Sequence, residues 1–162
     1  MSVIALMPLG APESVGAQQA QARLDPATTT VRDLGRRSDV VLGLSAPVPW
    51  RLSLRDNPWR LILDFNGLDL GAFGAAGLQI SDTIARVRAG HQADGWSRLV
   101  MELARPMAVT SASMDTTGDA AVLALTLRHT TAEEFAANAV AEAVRPTIET
   151  APEVPFRVVI DP

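Results

Sequence analysis

The chain has 162 residues, 48% of them apolar and 20% charged, enough for one folded domain with tails and too apolar for a wholly disordered chain. Its formal net charge of −4 argues against a general nucleic-acid binder, and the absence of cysteine excludes disulfides, thiolate metal sites and cysteine nucleophiles. All fourteen basic residues are arginine, which reads as a bias of composition.

Residues 1–22 form a tail that resembles a signal peptide. A short apolar run, VIALMPLG, precedes AQQAQA, which ends in an A-x-A pattern at Ala20–Ala22 of the kind a signal peptidase accepts. No basic residue stands before the run and Pro8 interrupts it, so an ordinary tail is the other reading. No later stretch reaches the ~18 apolar residues of a membrane span.

From Thr30 the pattern is one of short strands separated by turns. Strands are predicted near Val40–Leu44 and Trp50–Leu54, with RDNP as the turn that follows. WRLILDF has period two: Leu61, Leu63 and Phe65 on one face, Arg60, Ile62 and Asp64 on the other. NGLDLGAFGAAG is glycine-rich and loop-like. IARVRAG, GWSRLVMELARPMAV (two strands around Pro106) and AAVLALTLRH complete the set, the last with Val122 or Leu123, Leu125 and Leu127 facing in.

RLILDF at 60–65 matches RLVMEL at 98–103, and VLGLSAPV at 41–48 matches VMELARPM at 100–107. Two similar halves predict an all-β sandwich of two pseudo-symmetric sheets over residues 30–128. Leu61, Leu63, Phe65, Leu99, Met101 and Leu103 should be buried, and Arg60, Asp64, Arg98 and Glu102 exposed. A helix is expected over 130–145, opened by a capping box at Thr130/Glu133 or Thr131/Glu134. Its stripe of Phe135, Ala139, Val140 and Val144 is thin, so it should stand off the sandwich and add little stability. Residues 146–155 read as a proline-rich linker, and FRVVIDP (156–162) as a strand with no sheet of its own.

Taken together, NPWRLILDFNGLDL and IARVRAGHQADGWSRLVMELARPM resemble the AMIN domain family, with Pro-x-Arg-apolar-apolar-apolar-Asp followed by Arg-x-Gly and Arg-apolar-apolar-apolar-acid-Leu. VVIDP resembles the opening strand of the catalytic domain of zinc-dependent N-acetylmuramoyl-L-alanine amidases. The resemblance implies a β-sandwich that holds periplasmic cell-wall enzymes at peptidoglycan and the septum, with septal ring proteins as possible partners. It also implies that 156–162 is the truncated first strand of a catalytic domain, where zinc would be bound. No cofactor is expected in this chain itself.

The residues fit binding better than catalysis. There is no G-x-S-x-G elbow or phosphate loop, and His91 and His129 are far apart in sequence with no orienting acid. Between Val31 and Arg105 ten arginines stand against eight acids, a local +2 in an acidic chain. The candidates for contact with wall carboxylates and sugars are Arg60, Asp64, Arg86, Arg88, Arg98, Glu102, Trp59 and Trp96. Arg60–Asp64 and Arg98–Glu102 read otherwise as solvated pairs on outer faces, and each tryptophan as a core residue. Two other functions remain open: the amidase itself, of which this is a fragment, and an interaction module of a secretion or pilus system.

Overall fold

The computed structural model describes residues 21–71 and 81–144. The A-x-A tail up to Ala20, the linker and FRVVIDP lie outside the described residues. Nine strands and one helix follow in chain order: β1 (Ala22–Leu34), β2 (Arg37–Leu44), β3 (Trp50–Arg55), β4 (Arg60–Asn66), β5 (Leu68–Asp69), β6 (Ile84–His91), β7 (Trp96–Leu103), β8 (Met107–Thr117), β9 (Ala120–His129) and α1 (Ala132–Val144). They build a sandwich of a five-stranded sheet, β5-β1-β2-β9-β8, and a four-stranded sheet, β3-β4-β7-β6.

Period-two alternation makes the core. Leu61, Leu63 and Phe65 of β4 meet Leu99 and Met101 of β7, and all are almost fully buried. Facing them, β2 supplies Val40, Leu42 and Leu44, and β9 supplies Ala121, Leu123, Leu125 and Leu127. The choice left open in β9 falls on Leu123; Val122 points outward and is exposed. Two polar links join the sheets: Ser38 and Thr83 share a buried 2.7 Å hydrogen bond, and Ser97 Oγ donates to Leu68 O at 2.8 Å.

The first strand begins earlier than the pattern suggested. β1 starts at Ala22, which is buried, whereas alternation is visible only from Thr30. The reason is a register shift between Asp25 and Thr30, where the strand arches over Gly43. Asp25 Oδ1 accepts from Ala27 N, and Thr29 Oγ1 accepts from Gly43 N. A side chain at position 43 would collide with Thr28 Oγ1, so the close approach requires glycine there.

The expected symmetry is realised differently. RLILDF and RLVMEL are β4 and β7, and they are hydrogen-bonded neighbours in one sheet, not counterparts in two. Arg60 and Arg98 therefore share a face. VLGLSAPV and VMELARPM do begin in opposite sheets, at β2 and β7.

The helix forms where expected, but it does not stand off the sandwich. Thr131 is its cap: Thr131 Oγ1 accepts from Glu134 N at 3.1 Å, while the Glu134 carboxylate accepts from Thr130 Oγ1, which holds its pKa below the usual value. α1 packs against β3, the edge of one sheet, and β8, the edge of the other, closing that side of the sandwich. Phe135 is completely buried and Ala139 nearly so; Val140, placed on the same stripe by sequence, is exposed. A short stripe suffices because one aromatic ring fills the gap between the sheet edges.

Candidate functional site

The outer face of the four-stranded sheet gathers most of the candidate residues. Strand register arranges them in rows. One row runs Arg55–Arg60–Glu102–Arg86, the next Ser53–Ile62–Val100–Arg88, the third Arg51–Asp64–Arg98–Gly90, and Asn66 and Trp96 end the array. Successive rows lie two residues, or about 6.6–6.8 Å, apart along each strand.

Local sequence sets this register. The β6–β7 hairpin turns at Asp94 and Gly95, with φ of 59° and 75°, and Trp96 N donates to Ala93 O across it. Two successive left-handed residues of the Asp-Gly type give a turn whose twist suits a hairpin. It fixes which residues of β7 point out: Trp96, Arg98, Val100 and Glu102. A register shift between Ile84 and Arg86 turns Arg86 and Arg88 of β6 to the same face, which explains the ragged alternation of IARVRAG.

The third row is internally neutralised. Asp64 Oδ1 accepts from Arg98 Nε at 2.6 Å, and Asp64 Oδ2 from Arg98 Nη2 at 3.0 Å and Arg51 Nε at 3.2 Å. Asp64 was expected to be exposed, but these two side chains cover it and leave it 5% exposed. Burial opposes its ionisation, yet the hydrogen bonds and charges of Arg98 and Arg51 outweigh that and hold its carboxyl below the usual range. The Arg51 guanidinium also lies 4.2 Å from the centre of the Trp96 ring. Asp64 is thus occupied by arginines of its own sheet, and Arg51, absent from the sequence-based candidates, belongs to the site. Its signal was the alternation of WRLSLR, which places Arg51 and Arg55 together on the side away from Leu52 and Leu54.

The tryptophans divide. Trp96 stands on the outer face, while Trp50 and Trp59 are half-buried and pack against the core. The Trp59 carbonyl accepts from Leu103 N and extends the β4–β7 ladder. Arg60, Arg86, Arg88 and Glu102 make no ion pair among the described residues. The face carries six arginines (51, 55, 60, 86, 88 and 98) against two acids, Asp64 and Glu102. Such a surface attracts carboxylates, and the half-buried Val100 and Trp96 add apolar area between the cations, while Ile62 on the same face is buried.

A zinc ion does not suit this donor set. His91 ends β6 and His129 ends β9, in different sheets, and no three potential ligands converge among the described residues.

A family model described as the AMIN domain matches residues 29–126, well over half of the chain. The chain belongs to the AMIN domain family. AMIN domains are generally peptidoglycan-binding targeting modules and occur in periplasmic or extracellular proteins. A search of curated proteins found no match to the chain. The matched span of this AMIN domain includes every strand that carries the arginine face, and it stops before α1. Among the described residues of the AMIN chain no helix is long and apolar enough to cross a membrane.

Proposed function

We propose that the chain is a non-catalytic targeting module that holds a cell-wall enzyme at peptidoglycan in the periplasm. The observation that carries this reading is the single outward face on which six arginines, two acids and Trp96 are brought together. Stem-peptide carboxylates are the anionic groups of the wall, and sugar rings offer C–H surfaces to an aromatic face. The enzyme we assign to it is a zinc-dependent N-acetylmuramoyl-L-alanine amidase acting in cell separation. Support for that finer assignment is the resemblance of residues 156–162 to the start of an amidase domain. Recruitment by septal ring proteins is compatible with the same face.

Each exposed arginine–carboxylate contact is weak, about 0–1 kcal/mol, so retention has to come from several on one polymer with repeated sites. The purified chain is expected to co-sediment with isolated sacculi at low salt and to be released as sodium chloride is raised. Arg86→Ala with Arg88→Ala, at a preserved melting temperature, should weaken retention about three- to tenfold. Sedimentation that is indifferent to salt and to both substitutions would show that the arginine face is plain solvated surface.

A further inference from the structure

The β3–β4 register sets Arg55 directly opposite Arg60 on the outer face. Opposed side chains in an antiparallel pair have Cβ atoms about 4.5–5.5 Å apart, and like charges so placed destabilise a sheet. Neither guanidinium is compensated. Arg55 Nη1 donates to Leu54 O at 2.9 Å and Arg60 Nε to Pro58 O at 3.3 Å, both backbone carbonyls. No carboxylate of the described residues lies within 4.0 Å of either. Most of the five donors on each guanidinium remain open.

Two comparisons within the molecule show what is missing. On the five-stranded sheet Arg37 and Arg128 are also opposed, but there Asp39 accepts from Arg37 Nε and Nη2 at 2.8 and 2.9 Å. In the third row of the four-stranded sheet Asp64 sits between Arg51 and Arg98 and bonds both. Each time arginines crowd together, a carboxylate sits among them. In the Arg55–Arg60 pair, by contrast, no carboxylate of the described residues bonds either arginine. Its nearest acid in register is Glu102, beside Arg60 on β7, which makes no ion pair there.

We propose that Arg55 and Arg60 form a subsite that takes one carboxylate group of a stem peptide between their guanidiniums. This rests on the reading of the chain as a peptidoglycan-binding module and sharpens it: recognition falls on the row at the β3–β4 turn, and not on Arg51 and Arg98, which Asp64 already occupies. Two planar forks around one carboxylate give charge-assisted, geometrically selective hydrogen bonds.

The test uses the full chain, the soluble tripeptide L-Ala-γ-D-Glu-diaminopimelate as probe, and the variants Arg55→Gln and, as a control on the other sheet, Arg128→Gln. Amide resonances of Arg55 and Arg60 should shift on titration, and Arg55→Gln should weaken tripeptide affinity about three- to tenfold while Arg128→Gln leaves it unchanged. Removing one of two opposed cations should also raise the melting temperature of Arg55→Gln at low salt, a gain that disappears at about 1 M salt, where the screening length is about 3 Å. A structural arginine would do the reverse. Unchanged affinity in Arg55→Gln, or a lowered melting temperature, overturns the subsite. If the chain sediments with sacculi yet the tripeptide leaves Arg55 and Arg60 unperturbed, the subsite falls and the wall reading stands. If the tripeptide shifts Arg55 and Arg60 but sacculi do not retain the chain, the subsite stands and the wall reading falls.

Discussion

Phe135→Ala should destabilise the domain by about 3–5 kcal/mol, seen as a lower urea midpoint at unchanged m-value. The ring is completely buried, and it comes from an element that touches both sheet edges. Truncation would leave a cavity bounded by β3, β8 and the helix itself, and neither sheet can move in to fill it without breaking its own ladder. Among the described side chains of α1, Ala139 alone would then stay buried, so local exposure of the β3 edge should accompany the loss. Val140→Ala, by contrast, should be nearly neutral, because that side chain is 66% exposed. A loss below about 1 kcal/mol for Phe135→Ala would return the helix to the status of a loose appendage.

The helix shows where sequence reasoning reached its limit. Its existence and a capping box at Thr130 or Thr131 were legible, since both are local chemistry, and the structure decides for Thr131. Its importance was not, because counting apolar residues in a stripe says nothing about the depth of the gap that one of them enters. The same division runs through the sheets. Alternation identified Leu61, Leu63, Phe65, Leu99, Met101 and Leu103 as core residues, and they are. It could not say that β4 and β7 are neighbours, since pairing is a long-range fact that a period of two leaves undetermined. Nor could it find Asp64 covered, because an outward carboxylate between two arginines is buried by their side chains and not by the sandwich. The alternation of WRLSLR put Arg51 and Arg55 on one face, but that this face joins Asp64 and Arg60 follows only from the pairing of β3 with β4.

Asp64→Asn is the second large effect expected. The amide keeps the shape but loses the charge that holds Arg98 and Arg51, three strands at once, so two crowded arginines are left without a counter-ion. Hydrogen bonds to a charged group contribute about 1.5–3 kcal/mol; with both arginines well exposed, about 1–2 kcal/mol is the expected loss at neutral pH. The pH dependence follows from the direction of the shift. The folded carboxyl titrates below its unfolded value of about 3.9, so its contribution is complete above that value and is lost as pH falls through the folded one. Urea titrations of wild type and variant should therefore differ fully at pH 7 and converge toward pH 3. A difference that stays constant down to pH 3 would mean that the carboxylate's charge is not what stabilises the row.

The strand order carries a consequence in time. The four-stranded sheet is complete once Leu103 has been made, and its hairpins, β3–β4 and β6–β7, are local in sequence. The five-stranded sheet is not. Its central strand β2, finished at Leu44, has β9 as a neighbour, and β9 begins only at Ala120. During synthesis at about 5–20 residues per second, β2 waits on the order of ten seconds for that partner. Throughout the wait the edge of β2 that β9 will join has no strand paired to it, and the closure that ends it spans most of the domain, a contact pattern that folds in milliseconds to seconds and not in microseconds. Chains stalled when Leu103 has cleared the tunnel should thus be cut by protease within β2 while β4 and β7 are protected, and protection of β2 should appear only when His129 has cleared it. The sheet that carries the arginine face is, on this schedule, assembled before the sheet packed against it.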